Sequence, residues 1–507
     1  MTNNEETYEH NSYYSMEWVD TGRKQYKASL ETLSMWMRDH IVFNKEIRDL
    51  SDFLYNSFGA YGRVIDYMVS LPTLDKVVYT TSNKSSSNKK KELYKESLKK
   101  MKDEVLTRDI IRKIAKCGTY FGYFLSEEML QLKGTYSEYE LEKIIELNNN
   151  FNCGVMSLPI DYCMIVGTQD SSYVMAFDLS YFDQFRSNGL SQKLKRYPKE
   201  IREGYVKFNK SRTDKWIVLD NTKTIVVKTR ADISERWGRP LGLGAFVDLL
   251  FDQDYTDVKR DTIQRANGQI IYQTFPEGNK EGKSILSNKQ QEKQHNDVRN
   301  AIFNKRDGSG TNFFSIAHGT TLNELKIDLD ILTKIKDEDL VKRISTNLGF
   351  ASSLLNGEDS NFSSQENNLN LISSEIFQWI EQIQNEYDKV INKNIIKDND
   401  CIIHINYLPI THLNRDKFRN NAKELYTLGR GSLKAWIAAS GFNIDAYLSL
   451  MEEELEEGLD EKFPPHQTSF TQSSNDTKPT EDNPTNENTI KTKSNNTNNN
   501  PVPKGGE

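Results

Sequence analysis

Apolar residues recur every three or four positions along much of the chain, and several stretches hold the pattern long enough to predict long helices. Residues 26–58 carry Leu30, Leu33, Trp36, Met37, Ile41, Phe43, Ile47, Leu50 and Leu54, with Gly59 and Gly62 as punctuation. The pattern resumes over 65–71 and stops before Pro72. Residues 92–117 read as one helix, built on Leu93, Leu98, Met101, Val105, Ile110, Ile111 and Ile114 and stopped by Gly118. Gly238-Arg239-Pro240 opens a different region, with proline suited to a first helical turn. A long helix over 245–266 follows and ends at Asn267-Gly268, a good stop. A second long helix is expected at 329–348. The most regular pattern is Leu369, Ile372, Ile376, Ile380, Ile383, Tyr387, Ile391 and Ile395, all steps of three or four. Nearly 30 residues rising 1.5 Å each make a helix of about 45 Å, a domain's width or more. Ser363-x-x-Glu366 reads as its capping box, and Ser287-x-x-Gln290 as that of a polar helix running through 303. Shorter helices are expected at 415–428, 432–439 and 445–457.

Between the helices lie short β-type runs at 77–79, 119–125 (TYFGYFL), 163–167, 173–177, 270–272, 312–317, 320–327 and 402–408. Residues 177–185 (FDLSYFDQF) form an aromatic segment leading to a short helix. Residues 216–219 and 224–228 read as a hairpin about the turn pair Asp220-Asn221. The pattern predicts an α+β fold, mainly α, with 26–230 as one α+β domain and no internal repeat.

Composition narrows this. The chain has 507 residues, enough for about three domains. Hydrophobic residues are 36% of the total, and no run approaches the roughly 18 apolar residues of a spanning helix. Sixty-six Lys and Arg against 73 Asp and Glu give a net charge of -7. That argues against a grip on nucleic acid by phosphate neutralisation, but not against nucleic acid sliding past. From 461 the composition turns to Asn, Thr, Ser, Lys and Pro, with Phe470, Ile490 and Val502 almost the only large apolar residues. Such a segment cannot offset its ordering entropy by burial and reads as a disordered tail. Residues 82–91 (SNKSSSNKKK) read as a solvated loop, and the polar, acidic residues 1–11 as neither secretory signal nor transit peptide. The expected setting is a reducing cytosol.

The search for chemistry yields little. Cys117, Cys153, Cys163 and Cys401 have no CxxC spacing and read as small buried hydrophobes. The stretch from Gly278 to Ser284 (GNKEGKS) is one residue short of a phosphate loop, and its helix begins only at Ser287. Gly429-Arg430-Gly431-Ser432 reads as an inter-helix turn. Asp252-x-Asp254-x-x-Asp257 lacks the glycine of a calcium loop and sits within a helix. Asp328-x-Asp330 suits a helix N-terminus. There is no HxH or HExxH, and His404 and His412 flank a strand end without an evident partner. No catalytic residue, metal site or cofactor is expected, which favours a structural or interaction protein.

Five stretches carry a resemblance. They are AYGRVIDYMVSLPTLDKVVY (60–79), SLPIDYCMIVG followed by FDLSYF (157–167 and 177–182), GRPLGLGAF opening a long helix (238–246), LGF through LNG before a polar loop and long helix (348–357), and LGRGSLKAWIAASGFNIDAYLSLMEEE (428–454). In order and spacing the chain is similar to the portal proteins of tailed bacteriophages, of the type found in phages of Gram-positive bacteria. The match spans about 26–457, and no single motif in it is diagnostic alone.

The resemblance implies a non-enzymatic homo-oligomeric ring, typically of twelve subunits, at one capsid vertex of the virion, assembled in the host cytoplasm. It implies a flexible N-terminus (1–25), a wing (26–236), a stem helix (237–266), a clip (267–328), a second stem helix (329–355), a tunnel loop (356–367), a long wing helix (368–400), a crown (401–460) and a disordered tail (461–507). Implied partners are double-stranded DNA passing through, the terminase large subunit, a head–tail adaptor, and major capsid and scaffold proteins, with no membrane and no cofactor. The DNA-facing residues of the tunnel loop would be Asn356, Asn361, Ser363, Ser364 and Gln365. That loop carries Glu358 and Asp359 and no Lys or Arg, so an electrostatic grip there is not expected. Asp248, Asp252 and Asp257 would form an acidic stem face that repels phosphate or pairs with a neighbouring subunit's lysines. Lys280, Lys283, Lys289 and Lys293 would face terminase or DNA, or be merely solvated. The competing readings are a DNA-packaging enzyme and another capsid-interior or scaffold protein.

Overall fold

The computed structural model describes residues 30–81, 87–126, 134–145, 153–185, 187–267, 270–278, 284–303, 316–325, 337–351 and 362–463. The N-terminal segment 1–25, the loop 356–361, residues 312–315 of the expected strand at 312–317 and the tail beyond 463 lie outside these residues.

The first half alternates helices with antiparallel strands. α1 (Leu30–Arg38), α2 (Asn44–Ser57) and α3 (Gly59–Ser70) lead to β1 (Lys76–Thr80). α4 (Ser87–Met101) and α5 (Asp103–Cys117) precede β2 (Thr119–Leu125). β3 (Gly154–Ser157), β4 (Cys163–Gln169) and β5 (Ser172–Asp178) follow, then α6 (Ser187–Lys195), α7 (Lys199–Ser211), β6 (Trp216–Val218) and β7 (Thr224–Lys228).

β2 explains how these parts cohere. It lies between β3 and β7, and all seven of its residues are buried. Successive side chains of a strand point to opposite faces. Tyr120 and Phe124 enter one core with Ile225 and Val227 of β7, while Phe121, Tyr123 and Leu125 enter a second with Val226. The first core holds α2–α5 and everything C-terminal that packs on them. The second is aromatic: Phe177, Phe182, Tyr197 and Tyr205 meet at ring separations of 5.0–6.2 Å. The expected single α+β domain is therefore one body with two cores sharing a strand.

Four boundaries differ from the sequence expectation. The helix expected over 26–58 breaks at residues 39–43, where the Asp39 carboxylate accepts from the Val42 amide and leaves Ile41 and Val42 exposed. Gly62 lies inside α3 rather than ending a helix. A Cβ there would stand 2.9 Å from the Tyr55 carbonyl oxygen, so the glycine lets α2 and α3 approach. The helix of 92–117 is two, separated by Lys102 at φ 51°. The hairpin at 216–228 does not form. β6 pairs with β5, and β7 pairs with β2. The Asp220 carboxylate accepts from the Thr222 amide and hydroxyl, and that turn sends the two strands into different sheets.

From Gly238 the chain leaves the body. α8 (Phe246–Asn267) runs out, β8 (Ile270–Thr274) and β9 (Thr321–Leu325) pair antiparallel around α9 (Asn288–Phe303), and α10 (Asp337–Leu348) comes back onto α8. α9 starts as expected: Gln290 Oε1 accepts from the Ser287 amide and hydroxyl. Pro240 does not occupy a first helical turn, since a 3-10 turn at Leu243–Ala245 and then α8 begin after it. Residues 329–336 of the expected second stem helix lie outside the described residues.

α11 (Phe362–Ile391) is the 30-residue helix the pattern predicts, although it starts at Phe362, so Ser363 is within it and not its cap. Ile376, Trp379, Ile380, Ile383, Tyr387, Val390 and Ile391 are buried in the first core, each contributing roughly 1.5–3 kcal/mol by leaving water. It packs on β7, α5 and β10 (Ile403–Tyr407). β10 pairs antiparallel with β1, Lys76 opposite Tyr407, which fastens the two ends of the body together. α12 (Arg415–Thr427), α13 (Leu433–Ala439) and α14 (Ile444–Glu457) close the fold, and a last turn at Leu459–Lys462 carries helix one residue past 461.

Candidate functional site

The out-and-back excursion departs from an elbow made of two glycines. Gly118 ends α5 at φ +76°, and its carbonyl accepts from the Thr229 amide at 2.9 Å. Gly238 donates to Thr119 Oγ1 at 2.8 Å, and Leu241 to the Ala115 carbonyl at 2.9 Å. A Cβ on Gly238 would run into the Gly118 carbonyl, and one on Gly118 into the Gly238 backbone. Two charged side chains brace the elbow. Arg239 bonds the Arg230 carbonyl and Glu235 Oε1, both at 2.6 Å. Arg230 holds Glu375 of α11 through two bonds of 2.9 and 3.2 Å. The elbow is thus fixed both to the sheet and to the long helix.

α8 anchors its first turns in the body through Phe246, Leu249 and Leu250, and Tyr255 is buried farther out. The expected acidic face resolves into distinct positions. Asp248 accepts from Arg343 Nε at 2.8 Å and from Asn347 Nδ2 at 2.5 Å, both on α10. Its charge is therefore balanced within its own chain, and the Arg343 guanidinium also lies over the Phe251 ring. Asp257 lies 3.7 Å from Arg260, one turn on, and Asp252 is engaged as well. Asp254 is exposed. Asp248 thus joins the two helices, a role that local sequence does not reveal.

Lys289 and Lys293 are exposed and one turn apart on α9. Lys280 and Lys283 lie outside the described residues, as do Asn356 and Asn361. Ser363 and Ser364 sit in the first turn of α11, where only the backbone is described. Gln365, half-buried, follows them and has a partner. So α8 and α10 come together as a pair, and the start of α11 lies next to the end of α10: Asn368 holds the Ala351 amide and the Gly349 carbonyl at 3.0 and 3.1 Å.

Sequence reasoning missed the charged groups beneath α11. Glu386 accepts from the Val226 amide at 3.0 Å, from Ser172 Oγ at 2.7 Å and from Lys389 at 2.7 Å. Burial pulls the Lys389 ammonium below its usual range, against the pull of Glu386. Asp388 accepts from the Ile405 amide at 3.0 Å and the Tyr94 hydroxyl at 2.5 Å. His404 Nδ1 lies 2.8 Å from Asp388 Oδ2, so this histidine has a partner after all, and its ring stacks on Tyr79. The only signal in the sequence was the run of charges about Tyr387, Glu386, Asp388 and Lys389, on an amphipathic helix.

Burial pushes the Asp388 carboxyl above its ordinary 3.8, outweighing the hydrogen bonds it accepts. A carboxyl raised in the folded state gives stability that is full below the ordinary value and lost as pH rises through the raised one. Wild type should therefore lose ground to Asp388→Asn as pH rises above the ordinary carboxyl value of 3.8 and through the raised one. Urea unfolding of both across that window checks it; a constant difference would contradict it.

Among the described residues no group of three or more His, Cys, Asp or Glu is placed to hold a metal ion. All four cysteines are buried and free. No described helix is long and apolar enough to cross a membrane.

No family model matches the chain. It is 25% identical over 491 residues to the SPbeta prophage-derived uncharacterized protein YonE of Bacillus subtilis (strain 168), covering 93% of this chain and 91% of that protein. Among solved structures, a chain in the virion of a native gene transfer agent particle matches with a TM-score of 0.46 at 9% identity, over 79% of this chain and 94% of that one. An HK97-family phage portal protein from Corynebacterium diphtheriae matches with a TM-score of 0.30 at 10% identity, over 70% of this chain and 93% of that one.

Proposed function

We propose that the chain is a phage portal protein: a ring, of twelve copies by the resemblance, set at one vertex of the capsid, through which double-stranded DNA is packaged and later ejected. The observation that carries the reading is the path of the chain. A two-core body sends out α8, makes a small β8–β9 module with α9, and returns along α10 to a 30-residue helix that crosses the body's core. That path suits the wing, stem, clip and long wing helix expected from the resemblance, in that order. The prophage origin of the relative also suits a particle component.

The reading places the clip at 267–328 and has it dock the terminase large subunit during packaging and a head–tail adaptor afterwards. Lys289 and Lys293 would lie on that surface. The structure shortens the expected tunnel loop, because residues 362–367 already belong to α11. The segment before α11 and the first turns of that helix would stand beside the DNA, residues 401–460 would form the crown, and the body would meet capsid and scaffold proteins. A conduit must not hold its cargo, and a chain of net charge -7 repels phosphate. The role is structural, with no turnover, in the virion after assembly in the host cytoplasm. One chain reaches a ring by repeating a single heterologous contact until it closes.

Negative-stain electron microscopy of the purified full-length chain tests this. Closed rings with a central channel are expected. A compact monomer or dimer that hydrolyses ATP or cuts DNA would overturn it.

A further inference from the structure

The last three helices carry two surfaces that one copy of the chain leaves uncovered. No residue of α12 or α14 is buried. α14 is half-buried at Ile444, Tyr447 and Leu448, and its apolar stripe then runs on in the open as Met451 and Leu455, 43% and 77% exposed. Helical spacing places Glu452 and Glu456 along one flank of that stripe and Glu454 along the other. Phe463, just beyond, is exposed too.

α12 presents the counterpart. Leu425 and Leu428, 55% and 70% exposed, lie with Lys417 on one side of the helix by the same spacing. Arg430, in the connection after α12, and Lys434, in the first turn of α13, are exposed too. Between 413 and 434 there are six Lys and Arg against two acidic residues, and between 444 and 463 eight acidic residues against one lysine. Both surfaces are apolar at the centre and charged at the rim, with opposite signs.

We propose that the acidic apolar stripe of α14 seats on the basic apolar flank of α12 in the next copy of this chain. The occupant is a second copy because the two halves are complementary in sign and in apolar content, and because they sit on different helices. The contact is therefore heterologous: each copy gives α14 to one neighbour and α12 to the other. Such a contact propagates head to tail and closes into a ring when the rotation allows. The inference rests on the ring reading above and assigns the residues 401–460 the work of joining subunits. The apolar centres supply the attraction, and the opposed rims set the register and exclude a like-with-like pairing of α14 with α14.

The test uses the full-length chain and mass photometry at concentrations where wild type assembles. The acidic set Glu452→Lys, Glu454→Lys and Glu456→Lys should reduce the assembly to monomers, as should the basic set Lys417→Glu, Arg430→Glu and Lys434→Glu. Combining the two sets should restore the assembled mass. Circular dichroism of the monomers should match wild type, since the altered side chains are exposed. Met451→Ser with Leu455→Ser should disassemble the ring without changing charge. Assembly of the acidic set or of the serine variant as in wild type would overturn this contact while leaving the ring reading intact, and the face would then serve another partner. A combined variant that stays monomeric would overturn the pairing of these two surfaces. Wild type that never assembles would overturn the ring reading and this contact with it.

Discussion

Replacing Glu386 by alanine will lower the folding stability of the full-length chain by about 3–5 kcal/mol, because it strips the partner from a buried charge. Glu386 is 6% exposed and holds three groups at once: the Val226 amide, the Ser172 hydroxyl and the Lys389 ammonium. These belong to β7, β5 and α11, so the carboxylate fastens the long helix to both cores. Without it a strand amide loses its acceptor and Lys389, already drawn below its usual range by burial, loses its hydrogen-bonded carboxylate and keeps only the more remote charge of Asp220. Lys389 would still reach Ser172 Oγ at 2.7 Å and Asn221 Oδ1 at 3.4 Å, but these neutral groups do not replace the carboxylate's charge. The double variant Glu386→Leu with Lys389→Met removes both charges, and should recover a large part of the loss. Urea unfolding of the three proteins decides it. A single variant that loses less than about 1 kcal/mol, the size of an exposed pair, would show that the clamp carries no weight.

Gly238→Ala will be more damaging still, with folded protein failing to accumulate. The new methyl would collide with the Gly118 carbonyl and stand 2.7 Å from the Thr229 carbonyl oxygen. Both obstacles are backbone, held by hydrogen bonds from Thr229 to Gly118 and from Arg239 to Thr229, so neither can yield as a flexible side chain would. Relief requires lifting the elbow off α5, which breaks the Gly238–Thr119 and Leu241–Ala115 bonds together. Costs above about 4 kcal/mol are exceptional for one substitution, and this site combines strain with lost backbone pairing. Gly244→Ala is the control. Its added methyl would lie 3.9 Å from the nearest atom, the Asn347 carbonyl, and should change stability by less than about 0.5 kcal/mol. Equal soluble yield and equal melting temperature for both variants would contradict the account of the elbow.

The helices and most strands were legible because burial repeats with the backbone's own period. α11 is the clearest case: its steps of three and four return as Ile376, Ile380, Ile383, Tyr387 and Ile391 in the core. β2 was legible as a strand, but not as one shared by two cores, since a seven-residue aromatic run gives no hint of what covers each face. The hairpin at 216–228 failed because Asp220-Asn221 encodes a turn and not the sheet that each arm joins. The breaks at 39–43 and Lys102 were invisible because the apolar spacing carries across them. The candidate site was legible as order rather than as chemistry. The sequence placed Asp248 on an acidic helix, yet its partner Arg343 lies 95 positions away and only the fold joins them. The same holds for Glu386 and Val226, for His404 with Asp388, and for Lys95 of α4 with Asp445 of α14. Long-range pairing of charged residues leaves no trace in local periodicity.

The most direct test of the central claim is a single-particle reconstruction of the assembled full-length chain. The account predicts a closed ring around a channel wide enough for duplex DNA. The β8–β9 module should lie at one end of it, α8 and α10 along the narrow part, and α12–α14 at the opposite end. An assembly without a channel, or one with the β8–β9 module and α14 at the same end, would contradict it.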